Sequence, residues 1–254
     1  MNLRVPADAR PQVRTLLAVT LLSVALWFIP FAGYLTYPFK LFVTFIHEGG
    51  HALAAWLTWN SVLSLSVAPD TSGLTITTQG GFFSQLLVSS AGYVGSMAYG
   101  ALLLVLIRKA MAARYVLFGS AGLVLVLTLF FGLLLPIGHI ATDFWASVPF
   151  TLVSGLVIAG ALIAVGMWTS PRVASFFASF LAAQCVLNAL LDLKTVFFMS
   201  TPFSTYAHSD AVNLANLTGL PRIVWAGVWV VVSLLILSAA LRVYAVKVES
   251  GLEN

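Results

Sequence analysis

The chain has 254 residues, of which 60% are hydrophobic and only 8% are charged, with a mean hydropathy of +1.01. Soluble domains carry about 25% charged residues, so this composition excludes a water-soluble globular protein and indicates an integral membrane protein. The net charge of +4 comes from a few scattered basic residues, which argues against a nucleic-acid partner, and the single Cys185 excludes an intrachain disulfide.

Apolar segments long enough to cross a bilayer recur along the chain. Because a bilayer core needs about 20 residues of helix, the sequence predicts an all-α polytopic protein with about seven transmembrane helices in a single membrane domain, 1–254. We interpret the first segment as a retained helix, because no A-x-A signal cleavage site follows it. The predicted spans are 15–33, 38–59, 82–107, 115–136, 148–168, 173–198 and 222–244.

The second predicted span contains an H-E-x-x-H motif, His47-Glu48-Gly49-Gly50-His51. On a helix, His47 and His51 project from one face, so that two imidazoles can hold one Zn²⁺ ion with Glu48 beside it as a general base. Three ionisable side chains are costly in an apolar run unless they have a use. Gly49 and Gly50 allow another backbone to approach closely, either a substrate in a cleft or a packed helix.

Residues 61–81 break the helical pattern directly after this motif. Apolar and β-branched residues flank the turn-forming run from Pro69 to Gly73, which predicts a small β-hairpin. Lipid cannot satisfy the open edges of a hairpin, so it must lie at the interface or line a water-filled cavity. The hairpin is either a connector or an edge strand that pairs with an extended substrate, and its position after the motif favours the second.

The basic residues conflict with a simple path of seven crossings. With an odd number of crossings, the N-terminal Arg4, Arg10 and Arg14 fall on the side opposite to most other basic residues, although basic loops favour the cytoplasmic side. Either one predicted span is wrong or the hairpin re-enters the membrane. The basic residues on the other side are Arg108, Lys109, Arg114, Arg172, Arg242 and Lys247.

A catalytic zinc ion usually has three protein ligands, so an acid from elsewhere in the chain must complete the histidine pair. Asp192 lies deep in the sixth predicted span and is the first candidate. Asn188, one helical turn earlier, is placed to bind substrate or to orient that carboxylate. Asp210 is the rival third ligand, and the residues alone leave the choice open.

Two further polar sites have competing interpretations. Ser209 or Asp210 suits the N-cap of a short helix that follows, which explains these residues without a metal. His139 and Asp143 lie four residues apart and form a weaker ligand set, because no general base accompanies them.

Taken together, these segments resemble the M50 family of membrane metallopeptidases, the site-2 protease group, and most closely its M50B-like branch. The resemblance covers about 45–229 and implies zinc held by the two motif histidines and an aspartate, with cleavage of peptides within or next to the membrane. The third-ligand motif of classical members, N-P-x-P…L-D-G, is missing, so the family does not decide between Asp192 and Asp210. The segments that carry the resemblance are 45–55, 68–81, 89–96, 187–193 and 208–221, with Trp225 following.

The expected function is therefore zinc-dependent hydrolysis of peptide bonds in membrane-associated proteins or peptides. The expected location is the plasma membrane of a bacterium, with the lipid bilayer as surroundings and no nucleic-acid partner. The sequence leaves open the substrate, the oligomeric state and any accessory regulator. Two alternatives stay open: a non-proteolytic membrane protein that retains a zinc site, and a transporter whose intramembrane acids form an ion pathway, although no clear internal repeat is seen.

Overall fold

Long helices make up most of the chain in a computed structural model, which describes residues 6, 9–109, 111–137, 148–200 and 209–245. A π-helical stretch, Leu127–Leu134, joins α4 to α5 without a break. The helices are α1 (Arg10–Leu26), α2 (Ala32–Leu57), α3 (Phe82–Arg108), α4 (Ala113–Val126), α5 (Leu135–Ile137), α6 (Val148–Trp168), α7 (Pro171–Met199), α8 (Asp210–Thr218) and α9 (Arg222–Arg242).

Five helical segments in the described part of the chain are long and apolar enough to cross a membrane. Helices occupy all seven predicted segments, but a count of seven spans is not confirmed. The 17 residues of α1 extend only about 25 Å, which is shorter than a typical bilayer core. The 26 residues of α2 are long enough, but polar side chains interrupt their apolar character. The five candidate spans are Phe82–Arg108, Ala113–Ile137, Val148–Trp168, Pro171–Phe198 and Arg222–Arg242.

The first two helices run in the same direction. The start of α1 lies beside the end of α3, where Gln12 Nε2 donates to the Ile107 carbonyl at 3.5 Å. α2 runs antiparallel to α3, since the hydroxyls of Thr58 and Ser84 lie 2.9 Å apart near the other end of α3. Both α1 and α2 therefore lead away from the end where α3 terminates. This places the start of α1 at the same end as the basic residues that follow α3 and resolves the conflict in the charge pattern.

The predicted hairpin is confirmed, with β1 (Val62–Val67) pairing antiparallel to β2 (Gly73–Thr77). It folds back along α2 instead of projecting away from it. Tyr37 Oη donates to the Pro69 carbonyl and Thr44 Oγ1 donates to the Thr71 carbonyl, each at 2.7 Å. The turn of the hairpin thus reaches beyond the H-E-x-x-H segment toward the start of α2.

The two edges of the hairpin have different surroundings. On the outer edge of β1, the Val67 N–H donates to Thr151 Oγ1 of α6 at 2.9 Å. Leu65 is fully buried, whereas Leu74 and Ile76 of β2 are exposed. Backbone groups point alternately toward and away from the partner strand in an antiparallel pair, so β2 has outward-facing groups along its second edge. That edge borders the cavity described below.

Candidate metal centre

α2 places His47 and His51 side by side, one helical turn apart, and α8 places Asp210 opposite them. Asp210 Oδ2 lies 3.6 Å from His47 Nε2 and 3.4 Å from His51 Nε2. Ser209 is the N-cap of α8, where its side chain accepts from the Val212 N–H at 3.3 Å, so Asp210 is the first residue of the helix. One ligand atom from each of the three residues lies within 4.8 Å of the others.

These distances fit a zinc ion. Tetrahedral coordination with bonds of about 2.0–2.1 Å separates neighbouring ligand atoms by about 3.3 Å, close to both contacts of Asp210. Burial alone would raise the pKa of Asp210, but the neighbouring His51 and His47 rings hold the pKa of this carboxyl well below its ordinary value. Two imidazoles, one carboxylate and an open fourth position are the donor set of a catalytic zinc centre.

A backbone carbonyl fixes the orientation of one imidazole. His51 Nδ1 lies 2.6 Å from the Val88 carbonyl of α3, and because a carbonyl can only accept, Nδ1 carries the proton. This leaves His51 Nε2 facing Asp210 and the metal position, where the neutral imidazole would offer its lone pair to a metal.

Aromatic rings and a glycine hold the second imidazole. The edge of the His47 ring meets the Tyr93 ring at a centroid distance of 4.7 Å, and Tyr93 stacks on Trp229 of α9 at 5.0 Å. Gly92 faces both imidazoles, and a Cβ there would lie only 2.5 Å from His51 Nε2. The α2–α3 contact thus needs a glycine at this position.

Glu48 is buried and is held by β2. Its Oε2 accepts a hydrogen bond from Thr75 Oγ1 at 2.7 Å, and the same hydroxyl lies 3.1 Å from the Glu48 carbonyl. Gly73 faces the Glu48 side chain, and a Cβ there would meet Glu48 Oε1 at 2.5 Å. The hairpin therefore contacts the acid that lies next to the first histidine of the motif.

A cavity of about 1040 Å³ opens on these residues. Besides the three donor residues and Glu48, it is lined mainly by uncharged polar side chains and by β2. Asn213 and Asn216 extend from α8 on one side, and Gln79 and Gln85 lie on the other. Such a lining admits water to the metal position although the surrounding helices are apolar.

The structure brings Asp210, and not Asp192, to the histidines. Asp192 lies on α7, where it interacts electrostatically with His47 but is exposed and outside both the donor group and the cavity lining. Asn188 donates to the Gln184 carbonyl at 2.8 Å and to Gln184 Oε1 at 3.0 Å, so its amide is occupied within α7 away from the cavity. The geometry therefore favours the rival ligand and gives no support to a substrate contact at Asn188.

The two motif glycines lie in helix packing contacts. A Cβ on Gly49 would meet the Leu127 side chain at 2.6 Å, and one on Gly50 would collide with the Ala91 carbonyl of α3. Neither glycine lines the cavity. Of the two interpretations of these glycines, the structure supports close helix packing and not substrate contact.

The weaker ligand set predicted from the sequence, His139 and Asp143, lies outside the described residues. Conversely, two residues of the site carry no sequence signal of their own. Thr75 and Tyr93 both belong to segments that carry the family resemblance, but only their contacts with Glu48 and His47 identify them as part of the site.

Comparison with known protein families supports the family that the site geometry indicates. No curated protein and no solved structure matches the chain. The family model described as Peptidase M50B-like matches residues 16–240, which is most of the chain and includes the donor residues and Glu48. The expected family is thus confirmed, and the chain belongs to the Peptidase M50B-like family of membrane peptidases.

Proposed function

We propose that this protein is a zinc-dependent metalloprotease that hydrolyses peptide bonds of membrane-associated substrates within or beside the bilayer. The observation that carries the proposal is the meeting of His47, His51 and Asp210 at zinc-ligand distances, with Glu48 adjacent, in a polar cavity. Its expected setting, the plasma membrane of a bacterium, is part of this proposal.

The chain supplies a general base, Glu48, and a residue that positions it, Thr75. A zinc ion held by the three donors would activate water near neutral pH and polarise the substrate carbonyl. Glu48 takes the proton from the attacking water and delivers it to the leaving amine. Thr75 fixes one oxygen of that carboxylate and so holds the base beside the metal position.

The hairpin provides an edge strand to which an extended substrate can bind. A peptide in a transmembrane helix hides its carbonyls in internal hydrogen bonds, so the cleaved segment must first become extended. The outward edge of β2 offers backbone groups that can pair with such a segment beside the metal centre. α8, with Asn213 and Asn216, lies on the opposite side of the same cavity.

Glu48→Gln tests the proposal. In purified protein reconstituted with membrane peptides, this variant should retain zinc, because Glu48 is not one of the donors, and should lose at least about 100-fold in cleavage rate, as expected for removal of a general base. The control Asp70→Asn, at an exposed position of the hairpin turn outside the cavity lining, should leave both zinc content and rate at wild-type values. Equal cleavage by Glu48→Gln and wild type would overturn the mechanism, and zinc binding without cleavage by wild type would support the non-proteolytic alternative.

A further inference from the structure

A second cavity, of about 580 Å³, lies at the opposite end of α3 from the metal centre. Ile107 lines it, whereas Tyr93 of the same helix lines the metal cavity, so about 21 Å of helix separates the two. Residues from the first turns of α1, α4 and α7 surround this second cavity, which we name the basic-end cavity. They include Pro11, Gln12, Ala113, Arg114 and Pro171.

Two of these helices begin without a side-chain cap. The N-cap residues are Ala9 for α1 and Ala112 for α4, and neither offers a side-chain acceptor to the first backbone N–H groups. α7 differs, because Ser170 Oγ accepts from the Val173 N–H at 3.4 Å. Uncapped N–H groups and the positive end of the helix dipole favour an anion.

Buried polar atoms inside the cavity lack partners. Ser179 of α7 is only 2% exposed and lines the cavity, yet its hydroxyl has no hydrogen-bond partner among the described residues. Gln12 Oε1 is also buried without a partner in the described part of the chain. The amide oxygen is costly when left unsatisfied, and the Ser179 hydroxyl is available to donate, so the two favour an occupant that offers a donor as well as an acceptor.

The charge of this end of the molecule is complementary to an anion. Arg114 lines the cavity, and no carboxylate occurs among the described residues that line it. Within a few residues of the lining segments, the sequence has four bases, Arg10, Arg14, Lys109 and Arg172, against one acid, Asp8. The neighbouring Tyr115 and Trp168 are 63% and 79% exposed, as is usual for aromatic anchors at the headgroup level of a membrane.

We propose that the basic-end cavity binds the headgroup of an anionic phospholipid that carries hydroxyl groups. The phosphate accepts from the N–H groups at the starts of α1 and α4 and from Arg114, while a headgroup hydroxyl accepts from Ser179, about 12 Å along α7 from Pro171. A headgroup hydroxyl donates to Gln12 Oε1. Basic pockets between transmembrane helices are suited to such headgroups, and this binding site is independent of the proteolytic function.

Lipid retention provides the test. Wild-type protein in detergent, mixed with equal amounts of phosphatidylglycerol and phosphatidylcholine, should carry predominantly phosphatidylglycerol when examined by native mass spectrometry. Arg114→Gln should reduce that preference roughly tenfold, as expected for the loss of one charge-assisted hydrogen bond. Ser179→Leu, which fills the cavity from its buried side, should also reduce the preference for phosphatidylglycerol. The control Lys194→Gln removes an exposed cation of α7 and should leave this preference unchanged. Circular dichroism establishes that each variant is folded.

The outcomes distinguish a lipid in a built site from general charge attraction and from free phosphate. An equal loss in Arg114→Gln and Lys194→Gln would mean general attraction between opposite charges and would overturn a built site. Folded Arg114→Gln and Ser179→Leu proteins with the wild-type preference would overturn it as well. Inorganic phosphate is added in a parallel series; if it binds and the lipid preference is absent, the occupant is free phosphate and the lipid assignment is wrong.

Discussion

At the scale of single residues, the metal centre depends on where a short helix begins. Ser209 caps α8, and the cap places Asp210 in its first turn, with the carboxylate between the two imidazoles. The sequence feature that explains Asp210 as a cap neighbour therefore also explains it as a ligand. The two interpretations do not conflict, because the cap is the means by which the ligand is positioned.

Asp210→Asn should lower zinc affinity at least about tenfold, because an amide oxygen is a weaker zinc ligand than a carboxylate. Asp192→Asn, the matched change at the other candidate, should keep wild-type zinc content. Both are measured as zinc per protein after dialysis against a competing chelator. Loss of zinc from Asp192→Asn with retention by Asp210→Asn would reverse the ligand assignment.

Local spacing identifies some of the site but not its tertiary partners. The four-residue separation of His47 and His51 on a helix fixes their relative positions from the sequence alone. Asp192 and Asp210 lie far along the chain, and their distance from the histidines depends on how α7 and α8 pack, which no local pattern contains. Thr75 could not be identified for the same reason, since a threonine in a strand has many uses.

At the scale of elements, the α2–α3 contact determines the geometry of the imidazoles. α2 contributes Gly50 and α3 contributes Gly92 and Gly95, so the two helices approach closely. Each of the three glycines is unfavourable in a helix by its intrinsic propensity, but each permits the close contact between α2 and α3. The sequence predicted close approach at Gly50, but the partner helix follows only from the structure.

Gly92→Ala should disrupt the metal centre without weakening its helix. Alanine favours a helix by about 0.5–1 kcal/mol over glycine, but its Cβ would collide with both imidazoles. We expect a loss of zinc affinity of at least about tenfold. Gly95→Ala is the matched control, because its Cβ would find its nearest neighbour, Gly50 Cα, at 3.6 Å. Equal zinc binding by the two variants would show that the Gly92 contact does not position the histidines.

At the scale of the whole molecule, the membrane path could be predicted only in part. Hydropathy located each long helix in the described part of the chain, because about 20 apolar residues are a strong signal. It could not show that α1 and α2 run in the same direction, since that depends on contacts such as Gln12 with Ile107. The basic residues indicated that seven separate crossings were wrong, because their distribution was incompatible with an odd number of crossings.

Cysteine labelling tests this path. Cys185 is only 1% exposed, so it should react little with a membrane-impermeant maleimide. Arg14→Cys and Lys109→Cys should be labelled from the same side of sealed vesicles, and Leu220→Cys, which precedes α9, from the opposite side. Labelling of Arg14→Cys together with Leu220→Cys would restore two separate crossings for α1 and α2.

The contact between Val67 and Thr151 leaves the hairpin with one open edge. α6 covers the outer edge of β1, so only β2 can accept another strand. A further strand can therefore add to the sheet only beside β2, where residues of β2 line the metal cavity. Under the proposed function, a peptide that pairs with β2 therefore lies beside the donor residues.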